Sequence, residues 1–207
     1  MDEKGMPFMS RLDLSSIAQW IPKYSRVLDL GCGDGSFLLK LRDELEVAGT
    51  GVEIDMDNLI QAVGKGLEVI QEDINDGLVN FSQNRYHVVV LAYALQELTN
   101  PHKVLKRMID IGERAVISFP NFGHWQCRLY LGFKGKMPVS SAMPLNWYQT
   151  PNIHFCTVQD FETLCSDLKI EIVERATVAG TFQSWLAALW PNLFAVSAIY
   201  QIRRSLT

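Results

Sequence analysis

The chain has 207 residues, of which 48% are apolar and 20% are charged, and this composition fits one globular domain with a sizeable core. Its formal net charge is −4, so the sequence has no general excess of positive charge to neutralise nucleic-acid phosphates. We therefore predict a single domain over residues 1–207 that does not bind nucleic acid.

The sequence also lacks the usual signs of secretion, a membrane span or a metal site. The N-terminal residues MDEKGM contain no apolar signal-peptide core. The most apolar late segment, residues 186–202, is interrupted by Pro191 and is shorter than the ~20 residues of a membrane span. The cysteines form no C-x-x-C pair and have no zinc-ligand spacing. We predict no metal, a cytoplasmic protein and reduced thiols at Cys32, Cys127, Cys156 and Cys165.

Apolar runs alternate along the chain with segments of helical periodicity. Helices are predicted near residues 11–20, 36–46, 56–64 and 101–111, and strands near 26–30, 49–54, 68–72, 86–92 and 114–119. Asn100 before Pro101 predicts a cap for the fourth helix, and Thr157 with Asp160 predicts a capping box. That box would start a helix over 158–168, followed by strands near 170–175 and 194–202. The alternation predicts an α/β fold with a doubly wound, mostly parallel seven-stranded sheet.

The most informative local pattern is VLDLGCGDG, residues 27–35. An apolar run containing Asp29 leads into three alternate glycines, which let the backbone turn sharply and approach a ligand: Gly31, Gly33 and Gly35. A dinucleotide site has the pattern G-x-G-x-x-G, but Ser36 holds the place of its last glycine. The loop therefore predicts a nucleotide-type ligand without the pyrophosphate of a dinucleotide.

Carboxylates around this loop indicate the charge of the ligand. Asp29 and Asp34 would repel a pyrophosphate but suit a cation, such as the sulfonium and ammonium groups of S-adenosylmethionine. Glu53 ends the second apolar run, where an acid accepts hydrogen bonds from ribose hydroxyls in related folds. Asp73 ends the third run and would face the adenine amino group.

On these motifs, residues 26–120 resemble the class I S-adenosylmethionine-dependent methyltransferases. The resemblance implies a Rossmann-like fold that binds S-adenosylmethionine or S-adenosylhomocysteine. It implies cofactor contacts at Asp29, Gly31, Cys32, Gly33, Gly35, Glu53, Asp73 and Ile74. The alternative is an ordinary strand, turn and helix whose glycines serve only packing, and the coincidence of the loop with two further acids disfavours it.

Residues 120–155 differ from the rest, because prolines, glycines and aromatic residues are mixed there without clear periodicity. We predict an insertion at the carboxyl edge of the sheet, where ligands bind in open α/β folds. Its aromatic residues would line an acceptor pocket, dock a partner protein, or form a lid that packs for stability. His124 and His154 are the candidate catalytic bases.

The segment after the fourth predicted strand departs from known methyltransferase patterns. It reads LAYALQEL, without the N-P-P-Y sequence of enzymes that methylate planar amino groups. Gln96 and Glu97 stand where many small-molecule methyltransferases have a Glu-His pair, and they are interpreted as a solvated helix end. The departure favours a sensor or partner role over catalysis.

Longer phrases, including SFPNFGHW at 118–125 and WYQTPNIHFCTVQDFETLC at 147–165, resemble the MetW family of methionine biosynthesis proteins. This resemblance implies a bacterial protein that acts with the homoserine O-acyltransferase MetX to support homoserine acylation. The chain has no G-x-S-x-G nucleophile elbow, so it would act by binding the acyltransferase and not by supplying the nucleophile. The alternative function is methyl transfer from S-adenosylmethionine to a small molecule or a protein.

Overall fold

A computed structural model describes residues 8–140, 142–179 and 184–205. The helices are α1 Phe8–Gln19, α2 Ser36–Leu45, α3 Met56–Gly64, α4 Pro101–Ile111, α5 Trp125–Lys134, α6 Val158–Asp167, α7 Ser184–Leu189 and α8 Pro191–Phe194. The strands are β1 Arg26–Leu30, β2 Ala48–Glu53, β3 Glu68–Gln71, β4 Tyr86–Ala92, β5 Gly112–Pro120, β6 Ile170–Val178 and β7 Ser197–Arg204. Short 3₁₀ turns cover Ile74–Asp76 and Leu95–Glu97.

The seven strands form one mixed sheet in the order β3-β2-β1-β4-β5-β7-β6. The pairs from β3 to β5 are parallel, whereas β7 runs antiparallel to both β5 and β6. The predicted seven-stranded, doubly wound α/β fold is confirmed, but the C-terminal strand makes the sheet mixed. Because β1 to β5 are parallel, their carboxyl ends meet at one edge of the sheet. The strand order reverses between β1 and β4, and open α/β sheets bind ligands at such a point.

Helices cover both faces of the sheet, which explains why the central strands are continuous apolar runs. One apolar cluster contains buried side chains of α4 and α6, including Leu105 and Phe161. The cluster on the opposite face contains residues of α1, α2 and α3, including Ile17, Leu38 and Ala62. This packing fixes the strand ends that carry the candidate site.

The predicted helix starts are only partly confirmed. The Thr157 hydroxyl accepts from the Asp160 N–H, and the Asp160 carboxylate accepts from the Thr157 N–H, so the capping box of α6 is confirmed. Helix α4 begins at Pro101 as predicted, but Asn100 makes no side-chain cap hydrogen bond. The fixed φ of proline at the first helical position supports this start without the cap.

The largest departure from the predicted elements lies within the insertion. Helix α5 occupies ten of its residues, and it ends at Gly135, whose φ of 60° allows its N–H to donate to the Leu131 carbonyl. The last strand begins at Ser197 and not near residue 194, because α8 precedes it. In the described residues no helix is both long and apolar enough to cross a membrane. The single domain over residues 1–207 stays a prediction.

Candidate functional site

The glycine loop connects β1 to α2 at the carboxyl edge of the sheet. Gly31, Gly33 and Gly35 all have positive φ, at 73°, 56° and 74°. The N–H groups of Gly31 and Cys32 donate to the Val52 carbonyl of β2 at 2.8 and 3.1 Å. A Cβ on Gly35 would lie 2.5 Å from a methyl carbon of Leu67, so this glycine serves packing as well as the turn.

Glu53 holds this loop in place from the end of β2. Its Oε2 accepts from the Gly33 N–H at 2.7 Å, and its Oε1 accepts from the N–H groups of Ile54 and Asp55 at 3.0 and 2.9 Å. The residue is buried. Since a carboxylate oxygen has two lone pairs, Oε2 keeps one acceptor position for a ligand hydroxyl.

Asp29 is a buried carboxyl beneath the loop. Burial, together with the negative charge of Glu53, raises its pKa from 3.8 to about 7. Asp29 is thus close to half-ionised near neutral pH. A positive charge beside it would favour the ionised form, because opposite charges stabilise each other most strongly away from water.

Asp34 already has a cationic partner in the protein. The Lys65 ammonium donates to the Asp34 carboxylate at 2.6 Å and to its backbone carbonyl at 2.7 Å. Partial burial raises the pKa of Asp34, but hydrogen bonds from Lys65 and Ser36 outweigh it and lower this pKa. Asp34 therefore offers less free charge to a cationic ligand than the sequence indicates.

A cavity of 290 Å³ opens beside this loop. Its wall comes from the β1–α2 loop, the carboxyl ends of β4 and β5, and the insertion. The lining residues are Leu14, Asp29, Gly31, Cys32, Gly33, Asp34, Phe37, Ala92, Tyr93, Glu97, Pro120, Ala142, Met143, Pro144, Leu145, Thr150, Pro151 and Asn152. This lining is mostly apolar, contains three carboxylates, and in the described part of the chain includes no histidine, lysine or arginine.

Gln96 lies behind the cavity wall and connects it to the insertion. Its side-chain amide donates to the Pro120 carbonyl at 3.1 Å and to the Cys156 sulfur at 3.5 Å. Its backbone carbonyl accepts from the N–H groups of Ile153 and His154. The prediction of a solvated Gln96 is wrong, because the returning insertion covers it; Gln96 is 2% exposed.

Glu97, the neighbour of Gln96, is exposed and is one of the residues that line the cavity. Partial burial of its carboxyl raises its pKa, and the charge of Glu53 adds to the rise. Glu97 therefore adds a third carboxyl group to the cavity lining, and its neighbours make this group harder to ionise than an exposed glutamate.

Asp73, which is predicted to face adenine, and the predicted cofactor residue Ile74 both lie outside the cavity lining. Asp73 caps the 3₁₀ turn that starts at Ile74, and its Oδ1 accepts from the Asn75 N–H at 2.8 Å. A side-chain carbon of Ile74 lies 3.9 Å from where a Cβ on Gly31 would be. Of the eight predicted cofactor residues, four line the cavity and four lie outside its lining. The lining residues are Asp29, Gly31, Cys32 and Gly33, and the others are Gly35, Glu53, Asp73 and Ile74.

The two candidate bases lie apart from the cavity. His124 is buried directly before α5, with its ring 5.8 Å from that of Trp125. His154 is exposed on the returning part of the insertion. The structure therefore does not place either imidazole in the described cavity wall, and their catalytic roles stay predictions.

The family model described as methionine biosynthesis protein MetW matches residues 11–202. The chain belongs to the MetW family. A curated relative, the bifunctional methionine biosynthesis protein MetXA/MetW of Rhodopirellula baltica, is 36% identical over 173 residues, which are 79% of this chain and 28% of that protein. The chain thus spans less than a third of that relative's length.

Solved structures share the fold of this MetW-family chain. An S-adenosylmethionine dependent methyltransferase from Mesorhizobium loti has a TM-score of 0.68 at 15% identity, covering 95% of this chain and 98% of that one. Magnesium protoporphyrin IX methyltransferase from Synechocystis, solved with bound S-adenosylhomocysteine, has a TM-score of 0.66 at 16% identity, covering 95% and 84%. These matches show the Rossmann-like fold of class I methyltransferases.

Several cavity residues of this MetW-family chain were not predicted from the sequence. Phe37 follows the loop on α2, and Tyr93 follows β4 with an unusual positive φ of 61°. Residues 150–152 and Met143 come from the insertion. Only Tyr93 had a local signal, because it directly follows an apolar strand at the edge where ligands bind in this fold.

Proposed function

We propose that this MetW-family chain binds S-adenosylmethionine in the cavity and acts with the homoserine O-acyltransferase MetX to support homoserine acylation in methionine biosynthesis. The main support for this proposal is the lining of the cavity, in which Asp29 and Glu97 lie among mostly apolar residues. A negatively charged, largely apolar wall suits a ligand that has an ammonium group, a sulfonium centre and an aliphatic chain.

The residues around the glycine loop fit this cofactor chemically. Asp29 would hold positive charge, and the glycines would allow close approach of the backbone. Glu53 would accept from a ribose hydroxyl through its remaining lone pair, while Asp73 and Ile74 would flank the adenine. When bound, S-adenosylmethionine supplies a sulfonium methyl group; S-adenosylhomocysteine, which lacks that charge, would gain less from Asp29.

The acyltransferase partnership is supported by the relative in which MetXA and MetW are parts of one protein. The present sequence has no G-x-S-x-G elbow, so the acyl-accepting nucleophile would come from the partner. The acid-lined cavity without a described imidazole supports a ligand-sensing role over base-assisted methyl transfer. A cytoplasmic location is supported by the four free cysteines, which suit a reducing compartment.

The test is the initial rate of homoserine acylation by the cognate acyltransferase. The rate is measured for the acyltransferase alone, with this protein, and with this protein plus saturating S-adenosylmethionine. We expect the protein to change the rate and S-adenosylmethionine to change it again, since a ligand that prefers one state of a complex shifts its population. Equal rates in all three mixtures would overturn the proposal, and transfer of a radiolabelled methyl group would then be sought.

A further inference from the structure

We infer that one outer face of the molecule is the docking site for the acyltransferase. This docking face consists of α5, the segment Pro138–Ser140, and the chain from Leu189 to Phe194 at α7 and α8. The inference rests on the proposed function, because it names the surface through which that partnership would operate.

The docking face contains two apolar grooves that share α5 as a border. One groove lies between α5 and Pro138–Ser140, and a second joins Arg128 of α5 to residues 189–194, so α5 borders both. Phe133 is 84% exposed, and Leu189 is 62% exposed. Large apolar side chains grouped in this way mark interaction surfaces, because a monomer gains nothing from leaving them in water.

Hydrogen bonds connect α5 and the residues just before it to the segment around α8. The Asn121 side chain is buried, and it donates to the carbonyls of Ala195 at 2.8 Å and Asn192 at 3.2 Å. The Arg128 guanidinium donates to the Gly123 carbonyl at 2.5 Å and reaches Asn192 at 3.5 Å. A preformed surface loses little conformational entropy when a partner binds.

The charge of the docking face indicates which kind of partner surface would be complementary to it. The sequence has no aspartate or glutamate between Glu113 and Asp160, or after Glu174, although the whole chain has a net charge of −4. Arg128, Lys134 and Lys136 fall in the first of these stretches. The complementary surface is an apolar patch with carboxylates at its rim.

This charge pattern favours a different protein over a second copy of the chain. A symmetric dimer through the docking face would bring its basic residues toward their own copies, and like charges oppose such a contact. In the fused relative an acyltransferase partner is held in the same polypeptide, where even a modest interface is occupied because the effective concentration is high.

The docking face also borders the ligand cavity. Ser140 lies in the α5 groove, and Met143 lines the cavity. Each donates its N–H to the carbonyl of the other, at 2.9 and 3.1 Å. A ligand that moves Met143 would therefore move the edge of the docking face, which gives S-adenosylmethionine a direct route to the partner.

The test measures the affinity of the cognate acyltransferase for the full chain by calorimetry. Phe133→Glu and Leu189→Glu each put a carboxylate into the docking face, and Val79→Glu does the same at a residue that is 73% exposed elsewhere. We expect at least a tenfold loss of affinity for the first two variants and none for Val79→Glu. Circular dichroism should match wild type for all three, because the replaced side chains are exposed.

Different failures of this experiment have different meanings. Wild-type affinity in both docking-face variants would overturn the inference and leave the proposed function standing. A wild-type protein that neither binds the acyltransferase nor changes its rate would overturn both. A dimer that Phe133→Glu converts to monomers, with unchanged acyltransferase affinity, would show a self-association surface and also overturn the inference.

Discussion

Two regions at the same edge of the sheet differ in charge and in the exposure of apolar side chains. The loops after β1 and β2 are acidic and tightly hydrogen-bonded, with the Glu53 carboxylate accepting from three backbone N–H groups. The insertion and its neighbours in α7 and α8 are apolar, basic and rich in exposed aromatic side chains such as Phe133. This difference fits the proposal that a small cation binds on one side and a protein on the other.

Replacing Gly35 should destabilise the acidic region more than any other change proposed here. In Gly35→Val a Cβ would lie 2.5 Å from Leu67 and 2.8 Å from Ala62, at a φ of 74° that valine avoids. Overpacking and backbone strain together should cost roughly 2–5 kcal/mol of unfolding free energy. The measurement is urea denaturation. Gly64→Ala in α3, where a Cβ meets nothing within 4 Å, is the control and should not be destabilised.

Glu53→Gln tests whether one carboxylate organises the acidic region. Glutamine has one acceptor oxygen in place of two, so its NH₂ group would face at least one backbone N–H. We expect loss of charged hydrogen bonds worth about 1.5–3 kcal/mol, seen in the unfolding free energy and in the affinity for S-adenosylmethionine. Glu68→Gln, at an exposed position of β3, should change neither quantity. Wild-type values for Glu53→Gln would contradict its role.

We predict that Asp29 makes the affinity for S-adenosylmethionine depend on pH. Because its folded pKa is raised from 3.8 to about 7, its contribution to stability is full below pH 3.8 and is lost as pH rises through 7. A cationic ligand needs the ionised form, so affinity should rise from pH 5.5 to 7.5, by up to roughly tenfold per pH unit below 7. Calorimetric titrations at several pH values check this. Asp29→Asn should bind weakly with little pH dependence, whereas the exposed Asp57→Asn should follow wild type.

The smallest predicted change in stability concerns the capping box of α6. Thr157→Ala removes one half of the α6 capping box and should cost about 1 kcal/mol of unfolding free energy, measured by thermal denaturation. Ligand affinity should not change. If Thr157→Ala lost as much affinity for S-adenosylmethionine as Glu53→Gln, the acidic and apolar regions would not act independently.

The sequence predicts the acidic region well and the apolar region poorly, for physical reasons. Strand ends and the glycine loop are local features, and the strands from β1 to β5 lie close to their predicted positions. Helix α5 escaped prediction because Leu129, Tyr130 and Leu131 are all substantially exposed, so its apolar residues do not follow one buried face. The burial of Gln96 and the pairing of Asp34 with Lys65 depend on contacts between distant residues, which no local pattern reveals.

The proposed S-adenosylmethionine site is tested most directly by a calorimetric titration of S-adenosylmethionine into wild type and Gly33→Val. A Cβ at Gly33 meets nothing within 4 Å, so the side chain would extend into space beside the cavity. The φ of 56° costs valine about 1–2 kcal/mol of backbone strain, so circular dichroism is measured to check that the variant is folded. We expect saturable binding by wild type and loss of binding by a folded Gly33→Val. Absence of binding by wild type, or equal affinity in both proteins, would contradict the proposed site.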